Sequence, residues 1–399
     1  MEYNSGCIRW GSNRNSAKCE MRDRRETEQM KIDLITLHAV KNYGSVLQTL
    51  ATQKIFESYG YEVEVINYIR EDCLDKNLLQ YWCGKNPVKR VAMYPTIKRW
   101  DTVFNKFIRE HFKLTDKVYT YEEDFVDFPL TADLYCTGSD QVWNSGWNGG
   151  IEKALFLNFV PESKYKFAYS ASFGKKELSE EEVAATKPYI DQYKYISVRE
   201  DYAKTILEKQ YGYTNCCHVV DPTLAYDGDF WRGFAPKSKR KGDYILIYNL
   251  NRSKAFDEYA VKLSKKTGLP LVRLCTRYDQ FYRPGKSVLV PEVFEFITLI
   301  DNAKYVLTDS FHATAFSLNL NTEPICIYPA EYGGRLESIL RMTNSLQKHV
   351  ENYDDFDVVN RSVDFDEVNR ALSEQRARIR EFLEAVFEDF EKNNGACYE

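Results

Sequence analysis

The chain has 399 residues, enough for two or three domains, and its 44% hydrophobic and 28% charged content excludes global disorder. A net charge of −5 argues against a generally basic nucleic-acid binder, so no nucleic-acid partner is expected. No run of eighteen apolar residues occurs, and the ten cysteines show no C-x-x-C spacing, which suits free thiols in a reducing cytoplasm.

Residues 1–29 are polar, lack the apolar middle of a secretory signal and show no periodicity. They read as a disordered extension ahead of a natural start at Met30. From there strands and helices alternate. "KIDLITL" reads as a strand, and "NYGSVLQTLATQKIFESYGY" as a loop and a helix with Val46, Leu47, Leu50, Ala51, Ile55 and Phe56 at helical spacing. "EVEVINY" follows as a strand, closing a βαβ unit and implying a parallel sheet. The aromatic, basic stretch at about 72–128 interrupts the pattern as a helical insertion. It reads either as a cover for the sheet or as a surface for anionic lipid through Lys85, Lys89, Arg90, Lys98 and Arg99.

The strand pattern resumes with "ADLYCTG", "SKYKFAYSASF", "YISVRE" and "NCCHVVDPTLA". A polar, Gly/Pro-containing break between Leu224 and Gly242 marks a domain boundary. A second series follows: strand "YILIYNL", helix, strand "PLVRLC", helix "EVFEFITLIDNA", strand "YVL", helix "ATAFSLNLN", strand "EPICIYP". The chain ends in a long amphipathic helix. Cys136, Cys275 and Cys326 fall inside apolar strands, where free cysteine acts as a small hydrophobe; Cys217-His218 is a weak metal signal, and no metal or cofactor is expected.

In open parallel sheets ligands sit beyond the carboxyl ends of the strands. Four polar stretches stand there: "HAVKNYGS", "TGSDQVWN", "SVRED" and "TDSFHAT". They supply Asp140, Arg199, Ser310 and His312, an acid–base pair with a cation, suited to an anionic substrate. Asn42, Tyr43, Gly44 and Ser45 open a helix whose backbone N–H groups can receive an anion or a sugar hydroxyl. Each residue also has a plainer role: Asp140 as a turn cap, Arg199 as a partner of Glu200 or Asp201, His312 as a core histidine beside Phe311, and Trp143 and Asn144 as scaffold. The common nucleotide-loop, hydrolase and zinc-protease motifs do not occur.

"NYGSVLQTLATQKIFESYGYEVEVINY", "TGSDQVWN", "AYSASFG", "SVRED", "VVDPTL" and "TDSFHATAFSLNLNTEPI" occur in an order that resembles the polysaccharide pyruvyl transferase family over roughly Met30 to Leu340. The resemblance implies an α/β fold of two Rossmann-like domains facing across a cleft, similar to GT-B glycosyltransferases, with a long C-terminal helix. Residues 30–225 would form the acceptor-side domain, 240–365 the donor-side domain, and 366–399 the helix and tail. It also implies transfer of pyruvate from phosphoenolpyruvate to two hydroxyls of a sugar or lipid-linked oligosaccharide, forming a cyclic ketal in cell-surface polysaccharide synthesis. Such work is cytoplasmic, and a lipid-linked acceptor would bring it to the inner face of the membrane.

By the same resemblance Arg199 grips an anionic group of the donor, His312 acts as acid or as a partner of the leaving phosphate, and Asp140 is the base for an acceptor hydroxyl. Ser139, Gln141, Trp143 and Asn144 complete the substrate-binding loop. Some relatives carry arginine where this chain has Ser310; Arg335 is the candidate replacement cation. A nucleotide-sugar-dependent GT-B glycosyltransferase and a non-catalytic carbohydrate-binding protein of the same fold remain the competing readings.

Overall fold

The computed structural model describes residues 29–395 apart from 238–241, 243 and 330–332. Residues 1–28 of the expected extension lie outside the described residues; Gln29 donates a hydrogen bond to the Gly60 carbonyl at 3.0 Å.

Strands β1 (Lys31–Ile35), β2 (Glu62–Val65), β3 (Leu134–Thr137), β4 (Tyr165–Ala171), β5 (Tyr195–Val198) and β6 (Cys216–His218) form one six-stranded sheet, in the order β2-β1-β3-β4-β5-β6. Every pair is parallel. Strands β3 and β4 are buried along their whole length, as expected where helices cover both faces of a parallel sheet. Strands β7 (Ile245–Tyr248), β8 (Leu271–Cys275), β9 (Lys286–Leu289), β10 (Tyr305–Thr308) and β11 (Glu323–Cys326) form a second parallel sheet of five, in the order β11-β10-β7-β8-β9. The fold is thus α/β, with two Rossmann-like domains. Strand β9 has no counterpart in the sequence reading: it is a short, half-exposed edge strand after Pro284-Gly285, without the apolar run that marks its neighbours.

Both sheets contain a point where the strand order reverses, β1/β3 in the first and β7/β10 in the second. Such reversals splay the loops at the carboxyl ends apart and leave a crevice. The helix Tyr43–Ser58 starts at the first crevice and the helix Phe311–Asn319 at the second. Nearly all residues of both helices are buried, and their N-terminal turns meet across the domain junction, where Gly44 lies against His312.

Two further elements tie the domains together. The insertion contains the helices Leu78–Cys83 and Pro87–Trp100. From it Trp100 Nε1 donates to the Thr276 carbonyl at 2.8 Å, and Thr96 Oγ1 accepts from the Tyr278 backbone N–H at 3.0 Å. Arg99 donates to the Val290 carbonyl at 2.9 Å and pairs with Glu292 at 3.0 Å. This corrects the reading of Arg99 as a lipid-facing cation: it is spent on the second domain. The other element is the C-terminal helix Phe365–Gly395, which returns to the first domain. Phe387 packs against the rings of Phe56, Tyr59, Tyr61 and Phe167, and Tyr165 donates to Asp389 at 2.8 Å.

Phe387 therefore anchors the returning helix. Phe387→Ala is expected to cost about 3–5 kcal/mol, read as a lower midpoint of chemical denaturation.

Candidate active site

Asp140 follows β3 through Gly138 and Ser139, and its backbone takes the left-handed region, φ 75°. A non-glycine residue held there costs of order 1–3 kcal/mol, which surrounding contacts must offset. Here Ser45 Oγ, from the first turn of the helix Tyr43–Ser58, donates to Asp140 Oδ2 at 2.6 Å. Thr36 Oγ1 donates to the Ser139 carbonyl at 2.8 Å, closing the same crevice. Both carboxylate oxygens are engaged, since the Gln141 backbone N–H donates to Oδ1 at 2.9 Å.

Arg199 leaves the end of β5 and is almost wholly buried, 3% exposed. Its guanidinium meets three carboxylates: Asp221 at 3.0 Å, Glu200 at 3.1 Å and Asp140 at 3.6 Å. The Phe311 ring of the second domain lies over it at 4.8 Å. His218 Nε2 stands 3.0 Å from the Arg199 carbonyl, so this half of the Cys217-His218 pair fixes the strand end. Among the described residues no cluster of three or more His, Cys, Asp or Glu side chains could hold a metal.

Asp221, from "VVDPTL", is the hub. It accepts from Arg199, from Ser139 Oγ at 3.3 Å, and from the Thr223 backbone and hydroxyl at 3.0 and 2.7 Å. Its Oδ2 stands 3.5 Å from His312 Nε2, bringing the second domain's histidine to the first domain's carboxylate. Burial alone would raise the Asp221 pKa, but His312 and Arg199 overcome it and hold the group well below the usual carboxylate range. Asp140 behaves likewise: burial opposes ionisation, while Arg199, His312, Ser45 and Arg335 favour it more strongly. Both are carboxylates at neutral pH. The Arg199 pKa is raised: burial alone would lower it, and Glu200, Asp221 and Asp140 outweigh that.

His312 is held just as closely. A Cβ on Gly44 would lie 2.0 Å from its Nδ1, so only glycine lets the ring approach this helix. Ser310 is the N-cap of the His312 helix, its hydroxyl accepting from the Ala313 N–H at 3.4 Å. Asp309 accepts from the Leu250 and Asn251 backbone N–H groups at 2.7 and 2.9 Å, stitching the second crevice.

Arg335 enters from the helix Gly334–Met342. Its pKa is lowered by burial and by repulsion from Arg199, against the attraction of Glu200 and Asp140, which places it in the same cluster. A cavity of about 310 Å³ is lined by Lys176, Asp201, Tyr202, Thr205 and, from the same helix, Gly334, Glu337 and Arg341.

The structure thus brings Asp140, Arg199, His312, Ser139, Gly44 and Arg335 together. Other sequence candidates serve the scaffold. The Tyr43 hydroxyl donates to the Pro291 carbonyl at 2.8 Å, and its ring packs on Phe104 and Phe296. Trp143 packs against Phe156 and Phe173 and donates to the Leu155 carbonyl. Asn42 and Asn144 cap helices, and Gln141 accepts from Asn144 at 2.7 Å. The expected pairing of Arg199 with Glu200 is present, whereas Asp221 and Ser172, which donates to Glu200 at 2.9 Å, were not singled out in the sequence. The position of Asp221 just after β6 was the available signal.

Two Rossmann-like domains with a returning C-terminal helix make a GT-B-like fold. A UDP-N-acetylglucosamine 2-epimerase from Rickettsia bellii superposes with a TM-score of 0.50 at 13% identity, covering 91% of this chain and 99% of that one. A Listeria monocytogenes protein assigned the same activity gives 0.52 at 12%, covering 91% and 98%. At such identities the likeness is one of fold. The profile of the polysaccharide pyruvyl transferase family matches residues 42–331, and the chain belongs to that family. It is therefore a transferase. No curated protein matches the sequence.

Two outcomes follow from the geometry. Asp140 and Asp221 have depressed pKa values in the fold, so the stability they contribute is complete above the unfolded value of ~3.9 and is lost as pH falls through the folded values. Denaturation midpoints should fall steeply below about pH 4, and Asp221→Asn should make that fall shallower. Gly44→Ala should push the His312 ring aside at a cost of about 1–3 kcal/mol, read as a lower melting temperature.

Proposed function

We propose that the protein transfers pyruvate from phosphoenolpyruvate to two hydroxyls of a sugar, giving a cyclic ketal in cell-surface polysaccharide synthesis. One observation carries this reading beyond the family: Arg199 Nη2 and Arg335 Nε are buried nitrogens without hydrogen-bond partners, beside a His312 whose Nε2 faces Asp221 at 3.5 Å. Buried donors are nearly always paired. Two arginines that repel each other, each with a spare N–H, suit a ligand with two anionic groups.

In this scheme Arg199 and Arg335 take the carboxylate and phosphate of the donor. His312, oriented by Asp221, gives a proton to the methylene carbon, and positive charge develops at C2. Asp140, ionised and fixed by Ser45, takes the proton of the first sugar hydroxyl as its oxygen bonds to C2. The C2–phosphate bond then breaks, the second hydroxyl adds, and its proton leaves with the phosphate. One proton ends on the new methyl group, and the ketal and inorganic phosphate balance the substrates. Ser310 caps its helix, so the second cation comes from Arg335.

The test is incubation with phosphoenolpyruvate and a panel of galactose-, mannose- and glucose-type acceptors, free and lipid-linked. Phosphate release together with a ketal methyl signal in NMR is expected. His312→Ala should lower kcat by roughly 10²–10⁴-fold, and Arg335→Gln should raise the phosphoenolpyruvate KM on the order of 10- to 100-fold. Full activity in His312→Ala would sink its role. No turnover, with a nucleotide sugar raising the melting temperature instead, would replace the donor.

A further inference from the structure

The helix Pro87–Trp100 is apolar on two sides. Met93, Ile97 and Trp100 face inward against the protein. On the opposite side Val88, Val91, Ala92 and Pro95 recur at helical spacing and are exposed, Val88 and Val91 to 76% each. Burying one valine is worth roughly 1.5 kcal/mol or more, so covering an outward stripe of this kind gains free energy that the exposed helix forgoes. Around it stand exposed Tyr81, Trp82 and Tyr94, and the exposed lysines Lys85, Lys89 and Lys98. Residues 78–100 contain five Lys and Arg and no acidic residue, in a chain of net charge −5.

The second domain extends this surface. Arg277 lies over the Trp82 ring at 4.9 Å, and the loop that carries it presents Phe281 and Tyr282, 65% and 72% exposed. The nearby acid, Asp279, is already paired with Arg277 and Arg252.

We infer that this patch, Tyr81 to Lys98 with Phe281 and Tyr282, seats the protein on an anionic lipid surface. An apolar stripe flanked by lysines and amphipathic rings matches the acyl, headgroup and charge layers of a bilayer interface in turn. A second copy fits poorly, because a two-fold pairing would set the same lysines against each other. A protein partner fits less well too, since lysine is depleted in such interfaces. The inference stands apart from the proposed chemistry.

The test is flotation of the full chain with vesicles of phosphatidylcholine, alone or mixed with phosphatidylglycerol, at low and high salt. Binding to the mixed vesicles only, weakened by salt, is expected. Lys85→Ala with Lys89→Ala should lower partitioning roughly 30-fold, from about fivefold per lysine near an anionic surface. Val91→Asp should abolish it. All three side chains are exposed, so unchanged melting temperatures verify the fold of the variants. Equal binding to neutral vesicles, no binding to either, or wild-type binding by both variants would overturn the inference. So would a dimer in sedimentation that Val91→Asp dissolves, which would make the patch an interface between copies.

Discussion

A guanidinium taken out of water must be surrounded by negative charge, and Arg199 shows how much of the molecule that requirement organises. Its three carboxylates come from the turn after β3, the residue after Arg199 itself and the loop after β6. Removing one partner of such a buried pair costs about 3–5 kcal/mol, because the survivor is left uncompensated. The ends of β3, β5 and β6 are therefore locked to one another by electrostatics as well as by the sheet. Asp221 carries the constraint across the cleft, since the oxygen that holds Arg199 also faces His312.

The backbone irregularities around this cluster have the same origin. Strand β4 shifts register between Ala168 and Ala171, and Ser170 adopts φ 55°. Bulges of this kind re-aim side chains beside functional sites. Here the shift turns Ser172 toward Glu200 while the Ser170 hydroxyl donates to the Val220 carbonyl, one residue before Asp221. Gly174 then takes φ 66°, where a Cβ would strike Asn144. The motif "AYSASFG" is thus a support for the acids, and "TGSDQVWN" supplies one acid and a rigid scaffold for it.

The alternation of strands and helices, the two-domain fold and three of the charged site residues could be read from the sequence because each follows a strand and is polar where the chain should turn. Asp221 escaped because its value lies in contacts with residues far away along the chain. Nothing local distinguishes it from a turn aspartate before proline, and it is also that, accepting from the Thr223 N–H. Tyr43 and Trp143 pose the opposite case, and for Trp143 the scaffold role was one of the two readings. They sit inside site motifs, yet their side chains point away from the cluster, into the packing that holds the motif backbone in place.

Ser310 shows how one position settles a conflict between two demands. The residue before Phe311 must cap a buried helix, and serine does so with its hydroxyl. An arginine there would add a cation to a junction that already holds Arg199 and His312, at the cost of that cap. Placing the second cation at Arg335 satisfies both demands, and it keeps the charge on the second domain, facing Arg199 of the first. In the proposed reaction each domain then contributes one arginine, so a dianionic donor draws the two domains together. Burial and the nearby Arg199 both lower the Arg335 pKa against the pull of Glu200 and Asp140, so in that reaction the donor's negative charge adds to what these two carboxylates already supply.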